Sequence, residues 1–234
     1  MARRRPEDRL EKLVDCAAEV FIARGGYERT QMEDVAAEMG IAKGTLYLYV
    51  QSKEALFDLV FRHAAATEEE GNEVSFPVPT PAPGALLDVV AERIRAGQAM
   101  PTLEAALRRP DAVDLRGELE GIVREIYGTL HRNRRAIKLI GVSALDMPAL
   151  AELWFKGARL DLVNRLDDYL RRRSTSGTLR AVPDTAVAAR LMVETISWFA
   201  VHRHWDPVPQ DMDEAAAEDT VVRILVAAFA KDLP

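Results

Sequence analysis

Lys43, Gly44, Thr45, Tyr47, Leu48 and Tyr49 crowd into the stretch KGTLYLY, and each residue type has a definite use at a charged surface. A lysine ammonium binds a phosphate oxygen or a guanine edge. A glycine lets backbone approach closely. Tyrosine hydroxyls bond phosphate oxygens, and an outward leucine meets a thymine methyl. At about 100° per residue, Lys43 and Tyr47 share a helix face, as do Gly44 and Leu48, while Leu46 and Val50 point the other way. Thr45 and Tyr49 form a shoulder of the outward surface. A helix this short is marginal alone in water. One side must be seated on a core and the other is left for a partner, and the chemistry of that side suits double-stranded DNA. Ordinary packing by Tyr47, Leu48 and Tyr49 fits the pattern about equally well.

The flanking residues supply what such a helix needs. Leu10, Leu13, Val14, Ala17, Ala18, Phe21 and Ile22 recur at steps of three and four, which predicts an amphipathic helix. Gly25 or Gly26 ends it with a left-handed cap. Thr30 and Glu33 have capping-box spacing at the start of the next helix. Val35, Ala36 and Met39 form its inner face, and Gly40 permits a tight turn. Ile41, Leu46 and Val50 then plug the inside. Ser52 is placed to cap a fourth helix running to about Phe61, with Lys53 beside its anion-attracting N-terminus.

The run TQMEDVAAEMGIAKGTLYLYVQSKEALFDLV, with AAEVFIARGGYERT before it, resembles the N-terminal domain of the TetR-like (TetR/AcrR) transcriptional regulators. The resemblance covers roughly the first quarter of the chain. It implies an all-α fold: an N-terminal three-helix helix-turn-helix DNA-binding domain and a C-terminal helical domain for dimerisation and ligand binding. It implies a homodimer on a pseudo-palindromic operator, acting as a repressor released by a small effector. Thr30, Lys43, Gly44, Thr45, Tyr47, Tyr49 and Lys53 fall on motif positions that touch DNA in relatives. Ala42 departs from the pattern, standing where a serine or threonine often caps the recognition helix. Leu48 also departs, making its contact apolar.

Bulk properties narrow the rest. The chain has 234 residues, 48% of them hydrophobic, and a formal charge of −6, which argues against indiscriminate coating of nucleic acid or membrane. Residues 1–63 carry ten Lys and Arg against eleven Asp and Glu, so binding there must be local. Arg3, Arg4 and Arg5 form a basic arm suited to phosphates or a minor groove, or simply to solubility. Cys16 is the single cysteine, so no intrachain disulfide forms, in keeping with a cytoplasmic protein. No apolar run approaches the roughly 20 residues of a membrane span. Prolines at 77, 79, 81 and 83 mark an extended linker, giving a DNA-binding domain at 1–63, a linker at 64–84 and an all-helical domain at 85–234. Segment 85–112 reads as an extra helical element without an assigned role.

In the second domain DTAVAARLMVETISWFAV and DTVVRILVAAFA are apolar almost all round, which demands burial on every side. A dimer interface of two helices per subunit is the expectation, with Val222 taken as an outward position. Tyr127, His131, Trp154, Phe155, Arg159, Trp198 and His202 are candidates to line a pocket for an apolar or amphipathic effector. HRHWD offers His202, His204 and Asp206 as a metal trio, but two histidines two apart diverge by about 200° on a helix, so no metal is expected. No phosphate loop, nucleophile elbow or metalloprotease pair appears, and no cofactor or catalysis is called for. The alternative function is a helical ligand sensor whose DNA-binding unit is degenerate.

Overall fold

The computed structural model describes residues 6–64, 75–110, 112, 114–177 and 179–231, with side chains from residue 10 onward. The arginine arm at 3–5 and part of the linker lie outside the described residues. Every regular element described is helical, and the described residues add two isolated β-bridges. The chain forms two compact units, residues 1–93 with 135–154, and residues 94–134 with 155–234.

The first unit begins with α1 (Pro6–Arg24), α2 (Met32–Met39), α3 (Lys43–Leu46) and α4 (Lys53–Ala64). The periodicity of α1 is expressed as a buried row of Leu13, Val14, Ala17, Ala18, Phe21 and Ile22. Phe57 of α4 meets Phe21 and Tyr27 edge-on, with ring centroids 5.1 and 5.2 Å away. Gly25 and Gly26 both have positive φ, +87° and +115°, and turn the chain out of α1. Segment 135–154 contributes α8 (Arg134–Ser143) and α9 (Pro148–Ala151). The buried Ser143 hydroxyl accepts the Tyr27 amide at 3.1 Å, and Arg29 forks onto the Asp146 carboxylate at 2.7 and 3.1 Å. Arg135 pairs with Asp15.

The described linker from residue 75 onward is extended, as proline requires, and part of it is packed. Val78 donates to the Tyr49 carbonyl at 2.8 Å and accepts from the Gln51 amide at 2.9 Å. Phe76 meets the Tyr49 ring edge-on at 5.5 Å. These bonds satisfy backbone groups at the end of α3 that no helix continues to use.

The second unit holds α6 (Pro101–Arg108), α7 (Leu115–Arg132), α10 (Leu160–Thr175), α11 (Thr185–Ala200) and α12 (Glu214–Phe229), with α5 (Ala85–Gly97) running in from the first. A π-helical stretch, Glu152–Arg159, leads into α10. Asp184 and Asp213 cap α11 and α12, each accepting an amide at 2.8 Å. The wholly buried Arg173 binds Glu118 at 2.8 Å and the carbonyls of Ala106, Arg109 and Pro110. Glu125 accepts the Thr102 and Leu103 amides at the free N-terminus of α6. These bonds give part of the 85–112 element a structural role: α6 is tied to α7 and α10 through satisfied buried charge.

Candidate nucleic-acid interface

The turn between α2 and α3 is built by Gly40. It sits at φ 68° and ψ 34°, and the Gly40 and Ile41 amides return to Ala37 and Ala36 at 3.1 and 3.0 Å. That is a left-handed C-cap that closes orphan carbonyls. Leu46 and Val50 are fully buried, and so is Val35. The helix proper is one turn long, and the chain continues as tight turns from Leu48 to Thr45 and from Tyr49 to Leu46. Ala42, as its side chain dictates, gives no capping bond.

Seating Leu46 and Val50 leaves the opposite face open. Leu48 is 68% exposed, and Lys43, Gly44 and Tyr47 are exposed beside it. A Cβ added at Gly44 would meet nothing within 4 Å, so backbone there is accessible to a close partner. Thr45 and Tyr49 are half-buried. Lys43 is not idle: its ammonium pairs with Glu33 of α2. This hydrogen bond raises the lysine pKa and lowers that of Glu33.

Two of the predicted contact residues are used by the fold instead. Thr30 is wholly buried, and its hydroxyl donates to the Gly26 carbonyl at 2.9 Å, so it presents nothing outward. The capping position moves to Gln31, whose amide donates to Asp34 at 2.8 Å. The Thr30–Glu33 box is therefore displaced by one residue, because the hydroxyl that would cap α2 closes the preceding turn. Lys53 donates to the carbonyls of Tyr27 and Thr30 at 3.0 and 3.2 Å and lies 4.2 Å above the Tyr27 ring. Its three donors leave one for a phosphate. Ser52 caps α4 as expected, accepting the Ala55 amide at 3.1 Å.

Residues 13–60 match the model for bacterial regulatory proteins of the tetR family, and residues 119–231 match that for the C-terminal domain of AefR-like transcriptional repressors. The chain belongs to the tetR family. As a member it is a DNA-binding transcriptional regulator. A 62-residue stretch is 37% identical to the fatty acid metabolism regulator protein of Bacillus subtilis (strain 168), covering 26% of this chain and 30% of that relative. The fold is similar to that of the ketosteroid transcriptional regulator of Mycobacterium tuberculosis, with TM-score 0.56 and 16% identity over 96% of each chain. It also resembles a HlyIIR mutant protein at TM-score 0.54 and 15% identity, over 99% of this chain and 100% of that one. No described helix is long and apolar enough to cross a membrane.

The effector candidates of this tetR-family chain are dispersed. Tyr127 and His131 of α7 stack with centroids 6.4 Å apart. Arg159 is held by both oxygens of Glu194 at 2.6 Å. Trp198 packs edge-on against Phe199 at 4.8 Å and is exposed on the outer side of α11. His202 is exposed in a short 3-10 turn, His202–Trp205, and Phe155 is half-buried. Trp154, in the other unit, lies 3.8 Å from where a Cβ on Gly141 would sit. A cavity of about 290 Å³ is lined instead by Thr102, Ala105, Ala106, Arg109, Asp114 and Glu118.

A polar cluster in the second unit was not foreseen. Glu214 accepts from Tyr127 at 3.1 Å and pairs with Arg203. His131 Nδ1 and His204 Nε2 lie 3.1 and 3.8 Å from its carboxylate. Burial, then Glu214, pushes the Tyr127 phenol up to about 12. Burial works against Glu214 ionising, but Arg203 and its other partners hold it below its ordinary value. Burial, opposed by Glu214 and helped by nearby arginines, lowers both histidines below their ordinary value.

One prediction follows from the Lys43–Glu33 pair. Freeing the ammonium with Glu33→Gln removes both a competitor and a negative charge next to DNA. Operator affinity at fixed salt is expected to rise roughly two- to fivefold, the range of an exposed ion pair, with unchanged circular dichroism. Equal or weaker binding would take Lys43 out of the contact surface.

Proposed function

We propose that the protein is a homodimeric repressor that holds a pseudo-palindromic operator with the 1–63 domain and releases it when a small apolar or amphipathic molecule binds the 85–234 domain, the 64–84 linker joining the two. The carrying observation is the open strip of Lys43, Gly44, Tyr47 and Leu48 over a fully buried Leu46 and Val50. Lys43 and Tyr47 reach phosphate or base edges, Gly44 admits the backbone, and Leu48 meets a thymine methyl. Thr45, Tyr49 and the spare donor of Lys53 flank them. The working compartment is the cytoplasm, where the operator lies.

Regulation then rests on spacing. A dimer must hold two recognition helices about 34–36 Å apart to enter successive major grooves. An effector shifts that spacing only through its differential affinity for the two states. A coupling of about 1–3 kcal/mol lowers DNA affinity roughly 5- to 150-fold.

Protection mapping of the DNA around the protein's own gene tests the reading. A discrete footprint is expected for the wild type, and it should be lost in Tyr47→Ala with helical content intact. Absence of protection even at low salt would leave a ligand sensor with a degenerate DNA-binding unit. A candidate effector is then titrated with and without operator, and reciprocity requires the operator to weaken it by the same factor. Equal affinity in both titrations disqualifies that ligand as an inducer.

A further inference from the structure

We propose that His131, His204 and Glu214 form a binding site for a divalent first-row transition metal, with zinc as the reference ion. The three come from α7, from the turn after α11, and from the first residue of α12. One ligand atom from each lies within 4.8 Å of the other two. Two imidazoles and one carboxylate are the donor set of three-ligand zinc sites that keep a fourth position for water. Around a tetrahedral ion with bonds of about 2.0–2.1 Å, ligand atoms stand about 3.3 Å apart. The 3.1 Å from His131 Nδ1 to Glu214 Oε1 is close to that value, and His204 Nε2, 3.8 Å from the other oxygen of the same carboxylate, needs only a small shift to join them.

A second observation points to a missing partner. His131 Nδ1 is shielded from solvent, with a carboxylate oxygen 3.1 Å away and the Ala200 carbonyl also facing the ring, yet it makes no hydrogen bond of acceptable geometry. A lone pair directed at a cation accounts for that placement. The groups around the trio resemble an outer shell that orients ligands. Tyr127 donates to Glu214 Oε1 at 3.1 Å, and Arg203 pairs with Oε2, so one oxygen can keep its arginine while the other turns to the metal. Arg203 is itself fixed by the Phe199 carbonyl at 2.7 Å. Metal on Nδ1 requires the proton on His131 Nε2. Arg134, 3.3 Å from that nitrogen, must then release it while keeping its 3.1 Å bond to the His131 carbonyl. The trio suggested by HRHWD is thus replaced: of its members only His204 belongs to the group, and His202 and Asp206 do not.

The test uses the full-length chain stripped with chelator, then titrated calorimetrically with zinc chloride. One zinc per chain at micromolar concentration or tighter is expected. His204→Ala and Glu214→Gln should each weaken it by at least about 100-fold, the upper end of the cost of losing a mere outer-shell partner, while His202→Ala leaves it unchanged. Cobalt(II) gives a second readout independent of heat, since the visible bands of a tetrahedral nitrogen–oxygen site should be lost in His131→Gln. Circular dichroism confirms that the variants are folded, and His131→Gln and Glu214→Gln, close in shape to the native side chains, carry the test where His204→Ala fails to fold. A stripped wild type that takes up no zinc overturns the proposal. So does undiminished uptake in the ligand variants, or loss of uptake in His202→Ala.

Discussion

Gly26→Ala is expected to lower the thermal midpoint of the protein by about 6–12 °C. The residue has φ of +115°, outside the region an L side chain adopts readily, a strain of about 1–3 kcal/mol. An added Cβ would lie 2.7 Å from the Ser143 Cα and 2.9 Å from the Val142 carbonyl oxygen. Those are backbone atoms of α8, which no side-chain rotation moves aside, and overpacking of this kind costs about 1–3 kcal/mol more. A total on the order of 3 kcal/mol shifts a chain of this size by about 2–4 °C per kcal/mol. Two neighbouring substitutions separate the causes. Gly25→Ala shares the positive φ, but its Cβ meets only the flexible Arg29 side chain at 3.4 Å, so it should lose less. Gly44→Ala has neither strain nor contact and should be stable, even slightly stabilised as a helix residue, while crowding the face turned toward DNA. Thermal scans giving Gly26→Ala the wild-type midpoint would remove the close packing of the α1–α2 turn on α8.

The helix-turn-helix was legible because its signals are local. A left-handed glycine, an apolar phase and a serine cap each act within a few residues, and Gly40, Leu46, Val50 and Ser52 stand where those rules put them. Sequence reasoning failed where a side chain had two local partners or one remote partner. The Thr30 hydroxyl could cap α2 or close the preceding turn, and it closes the turn. Lys53 could face a phosphate or the carbonyls of a turn 23 and 26 positions earlier, and spacing cannot choose between them. The strand-like pairing of Val78 with Tyr49 and Gln51 depends on the chain returning to α3. The grouping of His131, His204 and Glu214 likewise depends on segments remote in sequence meeting, and no short motif contains it. Helices apolar on every side gave no phase at all: Val222, expected outside, is 1% exposed.

Leu191→Glu is expected to convert the proposed dimer to monomer. The packing of the second unit leaves Val187 64%, Leu191 54% and Trp198 39% exposed on α11, and Ile224 61% exposed on α12. Steps of four and seven keep the three α11 residues within about 40° of one another, so they form a stripe. Fully burying a large apolar side chain is worth about 1.5–3 kcal/mol, and an isologous dimer would bury every member of the stripe twice. Leu191 lies within the stripe, so a glutamate there sets an uncompensated carboxylate in the interface of each subunit. Such a charge is costly when buried without a partner. Its folded-state cost is small because the position faces outward, which Val222→Glu, buried inside the protomer, cannot claim. That variant should lose helical structure where Leu191→Glu keeps it. Loss of the second half-site contact removes the avidity of a linked pair, which reaches about 100- to 10,000-fold, so operator binding should fall by a factor in that range. Sedimentation at micromolar concentration and operator titration are the measurements. Leu191→Glu sedimenting as a dimer with wild-type operator affinity would place the interface elsewhere, and a monomeric wild type at that concentration would dismiss it.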